Sequence, residues 1–212
     1  MNGLFCVLMI VVDVETTGID PKKHSLVSIG AVDFCNPANQ FYEECRIWDG
    51  AEIMQPHGEY GNPLDINGFT EQQIKDPNKK SLKQVIQEFL EWAETCKNKT
   101  IAGHNPWMDL CFIQDSAERY GLVNSFGKRT IDLHTVCYVH YLKRGIEPPL
   151  NKKRTSINAD HVFVYTGICP EPKPHIAING AKWEAEAFSR LIYGKSLLKE
   201  FEEYPVPSYL LG

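Results

Sequence analysis

Two acidic residues, Asp13 and Glu15, follow the longest apolar run of the chain, which extends from Leu4 to Val12. Side chains two positions apart on a β-strand point to the same side of a sheet, so the two carboxylates are expected to lie together. Burying both at the end of an apolar strand is costly unless a cation holds them. Carboxylate oxygens select hard cations such as Mg²⁺ or Mn²⁺. The pattern therefore predicts a divalent-metal site that water and phosphate can complete.

A further acidic residue, Asp109, ends the stretch AGHNPWMD that begins at Ala102. Asn105 and Pro106 fit the cap and first-turn positions of a helix, which places Asp109 in the first turn. An aspartate at that position interacts favourably with the helix dipole whether or not it binds a metal. Its interpretation as a metal ligand therefore depends on its meeting the first carboxylate pair.

These stretches resemble two motifs of a known enzyme family. Residues 11–18, VVDVETTG, closely resemble the first motif of the DEDDh, or DnaQ-like, 3′–5′ exonucleases, and AGHNPWMD is similar to the second. The resemblance implies an RNase H-like fold and hydrolysis of phosphodiester bonds at the 3′ end of single-stranded DNA or RNA. It implies two divalent ions about 4 Å apart, although a single ion is also possible. In this family pattern Asp13 would bridge the ions, with Glu15 and Asp109 as further ligands.

The third family motif is altered in this sequence. The family has a histidine, here His175, which would take a proton from the attacking water as general base. Five positions later the family has a metal-binding aspartate, and this chain has Gly180. Glu184 lies one helical turn further on, and because helical side chains lean towards the N-terminus its carboxylate could reach the same space as a metal ligand. Alternatively, Glu184 solvates the helix surface as Glu186 would, or water fills the gap.

The resemblance also implies contacts with the terminal nucleotide. The backbone amides of Thr16 and Thr17 would meet its sugar or phosphate, and Trp107 or Phe69 could stack on a base. The full set of expected substrate-binding residues is Thr16, Thr17, Gly18, Asn105, Trp107 and Phe69.

The order of the predicted elements favours an α/β fold. Apolar and β-branched runs predict three strands, Phe5–Glu15, Leu26–Phe34 and Phe41–Ile47, that form an antiparallel meander. Later strands alternate with helices, so parallel strands should complete a mixed central sheet flanked by helices. The later strands are predicted at 100–104 and 130–133, and the helices at 81–96, 105–120, 134–142 and 181–193. Residues 50–77 and 143–154 are predicted to be loops.

The composition limits the class of protein. The 212 residues carry 22 Lys+Arg against 27 Asp+Glu, a net charge of −5. This acidity argues against binding nucleic acid by bulk charge, although the basic stretch from Lys143 to Arg154 could meet a phosphate backbone. No linker divides the sequence, so we expect a single domain over 1–212 with a C-terminal extension from about residue 195.

The cysteine pattern and the apolar run bear on location. The seven cysteines contain no Cys-x-x-Cys pair, and we expect reduced thiols. The apolar run is far shorter than the ~20 residues of a membrane span. It also lacks the preceding basic residue and the cleavage site of a signal peptide. We therefore expect a cytoplasmic protein without a membrane partner, in which a homodimer is possible.

A second class of function stays open at this point. Gly180 could disable the metal site and leave a catalytically inactive exonuclease fold that binds nucleic acid or a protein partner. The retained carboxylates and His175 favour an enzyme, because a binding module has no physical need for them.

Overall fold

A five-stranded mixed sheet forms the centre of the computed structural model, which describes residues 9–56, 58 and 61–211. Its strands are β1 (Ile10–Thr16), β2 (Leu26–Asp33), β3 (Gln40–Glu44), β4 (Ile101–Gly103) and β5 (Thr130–Asp132), in the order β3-β2-β1-β4-β5. β1, β2 and β3 pair in antiparallel fashion, whereas β4 and β5 add in parallel to β1. The predicted meander and the parallel strands are confirmed.

Seven helices and a small hairpin surround this sheet within the described residues. The helices are α1 (Pro63–Asn67), α2 (Glu71–Ile74), α3 (Leu82–Ala93), α4 (Trp107–Arg119), α5 (Leu133–Lys143), α6 (Ala159–Tyr165) and α7 (Ala177–Tyr193). The hairpin consists of β6 (Leu150–Asn151) and β7 (Arg154–Thr155), and 3-10 helices span Lys199–Phe201 and Ser208–Leu210. No helix of the described residues is long and apolar enough to cross a membrane.

The alternating side chains of β1 enter two different apolar cores. Val11 packs with residues of α5, α6 and α7, whereas Val12 and Val14 pack with residues of α3 and α4. Asp13 and Glu15 have the parity of Val11 and therefore face the α7 layer. Strand periodicity alone thus directs both carboxylates towards one helix.

Helix α7 lies directly against the sheet. A Cβ atom on Gly30 of β2 would lie 2.1 Å from the carbonyl carbon and oxygen of Ala177, so only glycine permits this approach. The close packing brings the first turns of α7 to the carboxyl end of β1, where Asp13 and Glu15 lie.

Several predicted boundaries were wrong. The predicted loop 50–77 contains α1 and α2, and 143–154 contains most of the β6–β7 hairpin. Helix α6 was not predicted, because helices of four to seven residues are too short for a periodic apolar signal. Helix α4 begins at Trp107, since Asn105 has a positive φ of 55° and does not cap it. Helix α7 begins at Ala177, four residues before the predicted start.

Two expectations about the N-terminal region and the cysteines have different outcomes. Residues 5–8 of the predicted first strand lie outside the described residues. Reduced thiols are found at Cys45, Cys96, Cys111, Cys137 and Cys169. Cys35 is disulfide-bonded, so the expectation of reduced cysteines is wrong for this residue.

Candidate active site

The predicted chemical groups meet in a cleft at the carboxyl ends of β1 and β4. Acidic side chains of β1 and α7 line this cleft, together with a histidine and a glutamate from the loop before α7. We call it the carboxylate cleft. Its lining includes Asp13, Glu15, Glu171, His175, Gly180 and Glu184. Segments separated by more than 150 residues in the chain therefore form one site.

A β-bulge shapes the end of β1. Glu15 pairs with Ser28 of β2 and Thr16 pairs with Leu26, so one residue of β2 has no opposite partner. A bulge bends and twists the strands locally and redirects the side chains beside it. Here it lies at the point where β1 enters the carboxylate cleft.

Asp109 reaches this site from the first turn of α4. The last parallel pair of β1 with β4 is Val11 with Ala102, so β1 extends beyond its neighbour. The backbone N–H of Val14 donates a hydrogen bond to Oδ1 of Asp109 at 3.1 Å. The carboxylate is buried, and a position that could have been a simple helix-dipole residue is packed against β1.

Burial and mutual repulsion raise the pKa values of the site carboxyls. Burial raises the pKa of Asp13 to about 7. The pKa of Glu15 is raised to about 9 by burial and by the charges of Asp13, Glu171 and Asp109, against a hydrogen bond from Asn67. Each raised pKa means that the folded protein disfavours the ionised group. The cleft therefore groups carboxyls whose ionised forms are not neutralised by any cation among the described residues.

Glu184 contributes a further buried carboxylate. It is 5% exposed, and burial together with Asp13 and Asp109 raises its pKa well above the ordinary value. The His104 backbone donates a hydrogen bond to the carboxylate, but Oε2 has no hydrogen-bond partner within the described part of the chain. The alternative that Glu184 and Glu186 solvate the surface of α7 is wrong, since Glu186 is fully buried as well.

Gly180 leaves room for the side chain of Asp13, so it is more than a position from which a metal ligand has been lost. A Cβ atom at this position would lie 2.2 Å from Oδ2 and 2.8 Å from Cγ of Asp13. The Asp13 carboxylate thus occupies the space that a side chain at 180 would need. An aspartate introduced there would first have to displace Asp13, so it would not simply restore the family motif.

The donor set fits a hard divalent cation. Among the described residues, no three His, Cys, Asp or Glu side chains form a ready group that could hold a metal ion. The site nevertheless offers oxygen donors, including the unpartnered Oε2 of Glu184. Mg²⁺ commonly takes one or two carboxylates and completes its coordination with water and substrate phosphate. The residues therefore fit Mg²⁺ or Mn²⁺ in a site that substrate completes.

His175 and Glu171 approach the cleft from the loop before α7. The backbone N–H of His175 donates to the Ile66 carbonyl at 3.0 Å, and Nδ1 lies 3.9 Å from Oε2 of Glu171. Burial lowers the pKa of His175, whereas burial and Asp13 raise the pKa of Glu171 to about 7. Sequence reasoning missed Glu171, because a glutamate between two prolines is typical of an exposed loop.

An apolar pocket adjoins the carboxylate cleft and shares Val14 and Glu15 with it. Thr16 and Gly18 line this pocket, and their contact with a substrate stays a prediction. Thr17 does not, because its N–H donates to the Ser25 carbonyl at 2.8 Å and its hydroxyl to the Glu52 carbonyl at 2.6 Å. The predicted role of the Thr17 amide is therefore wrong.

The remaining predicted substrate residues lie in different surroundings. Trp107 is 53% exposed beside Met108, which lines the apolar pocket. Asn105 lies in a neighbouring polar cleft, and its N–H donates to Asp132 at 3.1 Å. Phe69 packs in a small apolar cluster with Lys79 Nζ 4.7 Å from its ring centroid. Phe69 thus has a packing role, and its stacking on a base stays a prediction.

The sequence profile of the RNase T exonuclease family matches residues 10–151, which include the carboxylates of β1 and α4. The chain belongs to the DEDDh exonuclease family. The matched residues end before His175, Gly180 and Glu184, so the altered third motif lies outside the match.

The curated relatives are much longer proteins. The chain is 26% identical over 191 residues to DNA polymerase III PolC-type of Streptococcus pneumoniae. The matched region covers 87% of this chain and 11% of the polymerase. The chain is 25% identical over 201 residues to the PolC-type polymerase of Streptococcus mutans, in a match that covers 92% of this chain and again 11% of the polymerase. The chain thus spans about a tenth of the length of these relatives.

Solved structures confirm the predicted fold. The nuclease domain of 3′hExo, a DEDDh family member bound to rAMP, has a TM-score of 0.66 at 14% identity and covers 92% of this chain and 96% of that chain. Escherichia coli Exonuclease I in complex with a dT13 oligonucleotide has a TM-score of 0.65 at 17% identity. This match covers 86% of this chain and 40% of the exonuclease chain. The likeness confirms the RNase H-like α/β fold of the DEDDh exonucleases.

Proposed function

We propose that this chain is a metal-dependent 3′–5′ exonuclease that hydrolyses phosphodiester bonds at the 3′ end of single-stranded DNA or RNA. The proposal is carried by four carboxylates that converge at the cleft: Asp13 and Glu15 are partly buried in its lining, Glu184 is buried in its lining, and Asp109 is buried beside Val14. None of them takes part in an ion pair among the described residues. Buried charges without a counter-ion are strongly unfavourable, and a bound cation relieves them.

The four carboxylates would hold one or two ions of Mg²⁺ or Mn²⁺. When bound, the cation supplies positive charge that orients the scissile phosphate and stabilises the leaving 3′ oxygen. Glu184 takes the place of the aspartate that other family members have at position 180, reaching the cleft from one turn further along α7.

His175 acts as general base. It lines the cleft, and its lowered pKa keeps the imidazole unprotonated at neutral pH, as proton abstraction requires. The attacking water loses a proton to the imidazole and forms a bond to phosphorus, the bond to the 3′ oxygen breaks, and that oxygen takes up a proton from solvent. The products are a nucleoside 5′-monophosphate and a strand shorter by one nucleotide.

The apolar pocket beside the cleft suits the terminal base. Its lining is largely apolar, including Ile19, Ile66 and Met108, with a few polar groups such as Asn67. Exposed Trp107 lies next to Met108 and offers a stacking surface. A single-stranded end presents such a free base. Escherichia coli Exonuclease I, which shares this fold, was crystallised with single-stranded dT13.

The test is digestion of 5′-labelled and 3′-labelled oligonucleotides of DNA and of RNA with Mg²⁺ or Mn²⁺. We expect a ladder from the 5′-labelled strand, immediate mononucleotide release from the 3′-labelled strand, and no product with EDTA. His175→Ala should lower kcat by about 10²–10⁴-fold. Asp13→Asn, purified in parallel, controls for a contaminating nuclease and should be inactive. A protein that binds Mn²⁺ but cleaves none of these strands contradicts the proposal.

A binding module without catalysis is the second candidate. It is favoured by Gly180 and by the lack of a ready three-ligand group among the described residues. Such a module would bind oligonucleotides with an affinity that neither EDTA nor Asp13→Asn changes. The cytoplasmic location and the homodimer stay predictions.

A further inference from the structure

The tip of the β6–β7 hairpin carries three consecutive cations, Lys152, Lys153 and Arg154. All three side chains are exposed. Within the described residues, no ion pair includes any of them. Among the described residues of this acidic protein, one small hairpin therefore carries a group of exposed positive charges without ion-pair partners.

The backbone of the hairpin tip is unfavourable for lysine. Lys152 and Lys153 form the two-residue turn and have φ values of 49° and 64°. Such turns favour Asn-Gly, because residues with a Cβ atom are strained at positive φ. Non-glycine residues in this conformation cluster at ligand-binding segments. The turn thus holds two lysines where asparagine or glycine would be more stable.

The base of the hairpin is fixed to the body of the protein beside the end of β4. Ile157, just after β7, is buried in the core under α6 and α7. Nε2 of His104 lies 3.1 Å from the Ile157 carbonyl oxygen, and Nε2 of His134 lies 3.1 Å from Oγ1 of Thr155. The cationic tip is therefore held at a defined position relative to the site.

A polar cleft connects the hairpin to the carboxylate cleft. Lys152 and Arg154 line it together with Asn151 and Ser156. His104 and Asn158 line this polar cleft and the carboxylate cleft alike, so the two are continuous. A strand whose 3′ end occupies the carboxylate cleft can continue along the polar cleft past these cations.

We propose that the β6–β7 hairpin binds the phosphate groups of the substrate strand on the 5′ side of the scissile bond. This inference rests on the proposed function, because it concerns the strand that the carboxylate cleft would shorten. The cleft itself repels phosphate through its carboxylates, and the hairpin supplies the opposite charge next to it. The preferred substrate is accordingly a strand several nucleotides long, and the attraction depends on salt.

The test compares two triple variants. The hairpin variant is Lys152→Asn/Lys153→Asn/Arg154→Gln, in which asparagine tolerates the positive φ. The matched control is Lys97→Asn/Lys128→Asn/Arg129→Gln, which removes the same charges from exposed positions that precede β4 and β5, whereas the hairpin is fixed to residues that follow these strands. The substrates are 20-nucleotide oligothymidylate and oligouridylate, and the p-nitrophenyl ester of thymidine 5′-monophosphate, whose single phosphate does not extend to the hairpin.

The hairpin variant should raise KM for the hydrolysed oligonucleotide at least tenfold at about 0.1 M salt, with little change in kcat. The slope of log(kcat/KM) against log[salt] should become less negative by about 2, since each phosphate contact on a single strand contributes about 0.7. The loss of kcat/KM should be at least ten times larger for the oligonucleotide than for the ester. The control variant should keep the wild-type slope.

Three results would overturn the inference: an unchanged slope, an equal change in the control variant, or an equal loss on the ester. A wild-type protein that hydrolyses neither oligonucleotide nor ester contradicts the proposed function instead. In that case, fluorescence anisotropy of the same oligonucleotides with a 5′ fluorescein still measures how the hairpin contributes to binding affinity and to its salt dependence. If the slope of log Kd against log[salt] is equal for the wild type and the hairpin variant, that result by itself overturns the hairpin assignment.

Discussion

Helix α7 buries two glutamates in opposite ways. Glu186 is fully buried, and its Oε1 accepts a hydrogen bond from Nε of Arg190 at 2.6 Å. Its Oε2 accepts the backbone N–H groups of Leu197 and Leu198 at 2.8 and 3.0 Å. Glu184, two positions earlier, is also buried, yet its Oε2 has no hydrogen-bond partner among the residues that the structure describes. The chain neutralises one carboxylate itself and leaves the other beside further negative charges.

Arg190 completes the neutralised region. It is fully buried, and its Nη atoms donate to the carbonyl oxygens of Thr166, Phe201 and Tyr204 at 3.0–3.1 Å. The guanidinium thereby ties α7 to the segment that follows it. The difference between the two regions shows that burial of a carboxylate does not by itself indicate function. The lack of a counter-ion among the described residues is what favours a binding role for Glu184, because an isolated buried carboxylate is relieved by a proton or by a cation from outside the chain.

The largest effect on stability should come from Arg190→Met, which leaves Glu186 buried without its cation. Removing one partner of a buried ion pair destabilises a protein by about 3–5 kcal/mol. Urea unfolding of the metal-free protein measures this loss. Glu184→Gln is the matched comparison and should leave stability unchanged or higher, because it removes an uncompensated charge. If Arg190→Met is as stable as the wild type, the assigned contrast between the two regions is wrong.

Metal addition should give the next largest effect. Mn²⁺ at about 100 times its Kd should stabilise the EDTA-treated protein by about 2.7 kcal/mol, or roughly 5–11 °C in Tm. Glu184→Gln should reduce this shift at equal Mn²⁺, whereas Glu186→Gln should lower the starting Tm but keep the shift. A full shift in Glu184→Gln would remove this residue from the metal ligands.

The pH dependence of the free energy of unfolding should change sign when metal is added. Burial raises the pKa of Asp13 from 3.8 to about 7 and contributes to raising that of Glu15 from 4.5 to about 9. A carboxyl whose pKa is higher in the folded state destabilises that state as pH rises, so the metal-free protein should lose about 2 kcal/mol between pH 7 and 9. With Mn²⁺ the stabilisation should grow over this range, because ligands must be deprotonated. Parallel slopes with and without metal would contradict this expectation.

The smallest effect concerns the glycine that accommodates Asp13. Alanine normally stabilises a helix interior by about 1 kcal/mol relative to glycine. Gly180→Ala should instead destabilise by about 1–2 kcal/mol and lower activity, because its Cβ meets the Asp13 carboxylate. Asn179→Ala, in the same turn, is the control and should show neither change. Gly180→Ala with higher stability and full activity would show that Asp13 moves freely.

Local patterns were sufficient for the central part of the site. Asp13 and Glu15 were placed on one face of a strand by their spacing, and β1 does direct them away from Val12 and Val14. Ser81 caps α3 as predicted, through a capping box with Gln84. These predictions needed only backbone periodicity and the chemistry of neighbouring residues.

Other site features depend on contacts across the chain. Thr17 was expected to meet substrate, but Ser25 and Glu52 use its polar groups. Glu171 lies in a proline-rich loop whose path towards Asp13 has no periodic signal. The hairpin carrying Lys152 and Lys153 has strands of only two residues, too short for an alternating pattern.

The sequence by itself determined the sheet, the larger helices and which acidic residues share a face of β1, because strand and helix periodicities act over a few neighbouring residues. Only the tertiary structure decided which carboxylate has a counter-ion. Glu184 and Glu186 have the same chemistry on the same helix, and they differ in what approaches them. Glu186 meets Arg190 and the segment after α7, whereas Glu184 meets the carboxylates of β1 and α4. That difference arises from how distant segments pack, which no local pattern encodes.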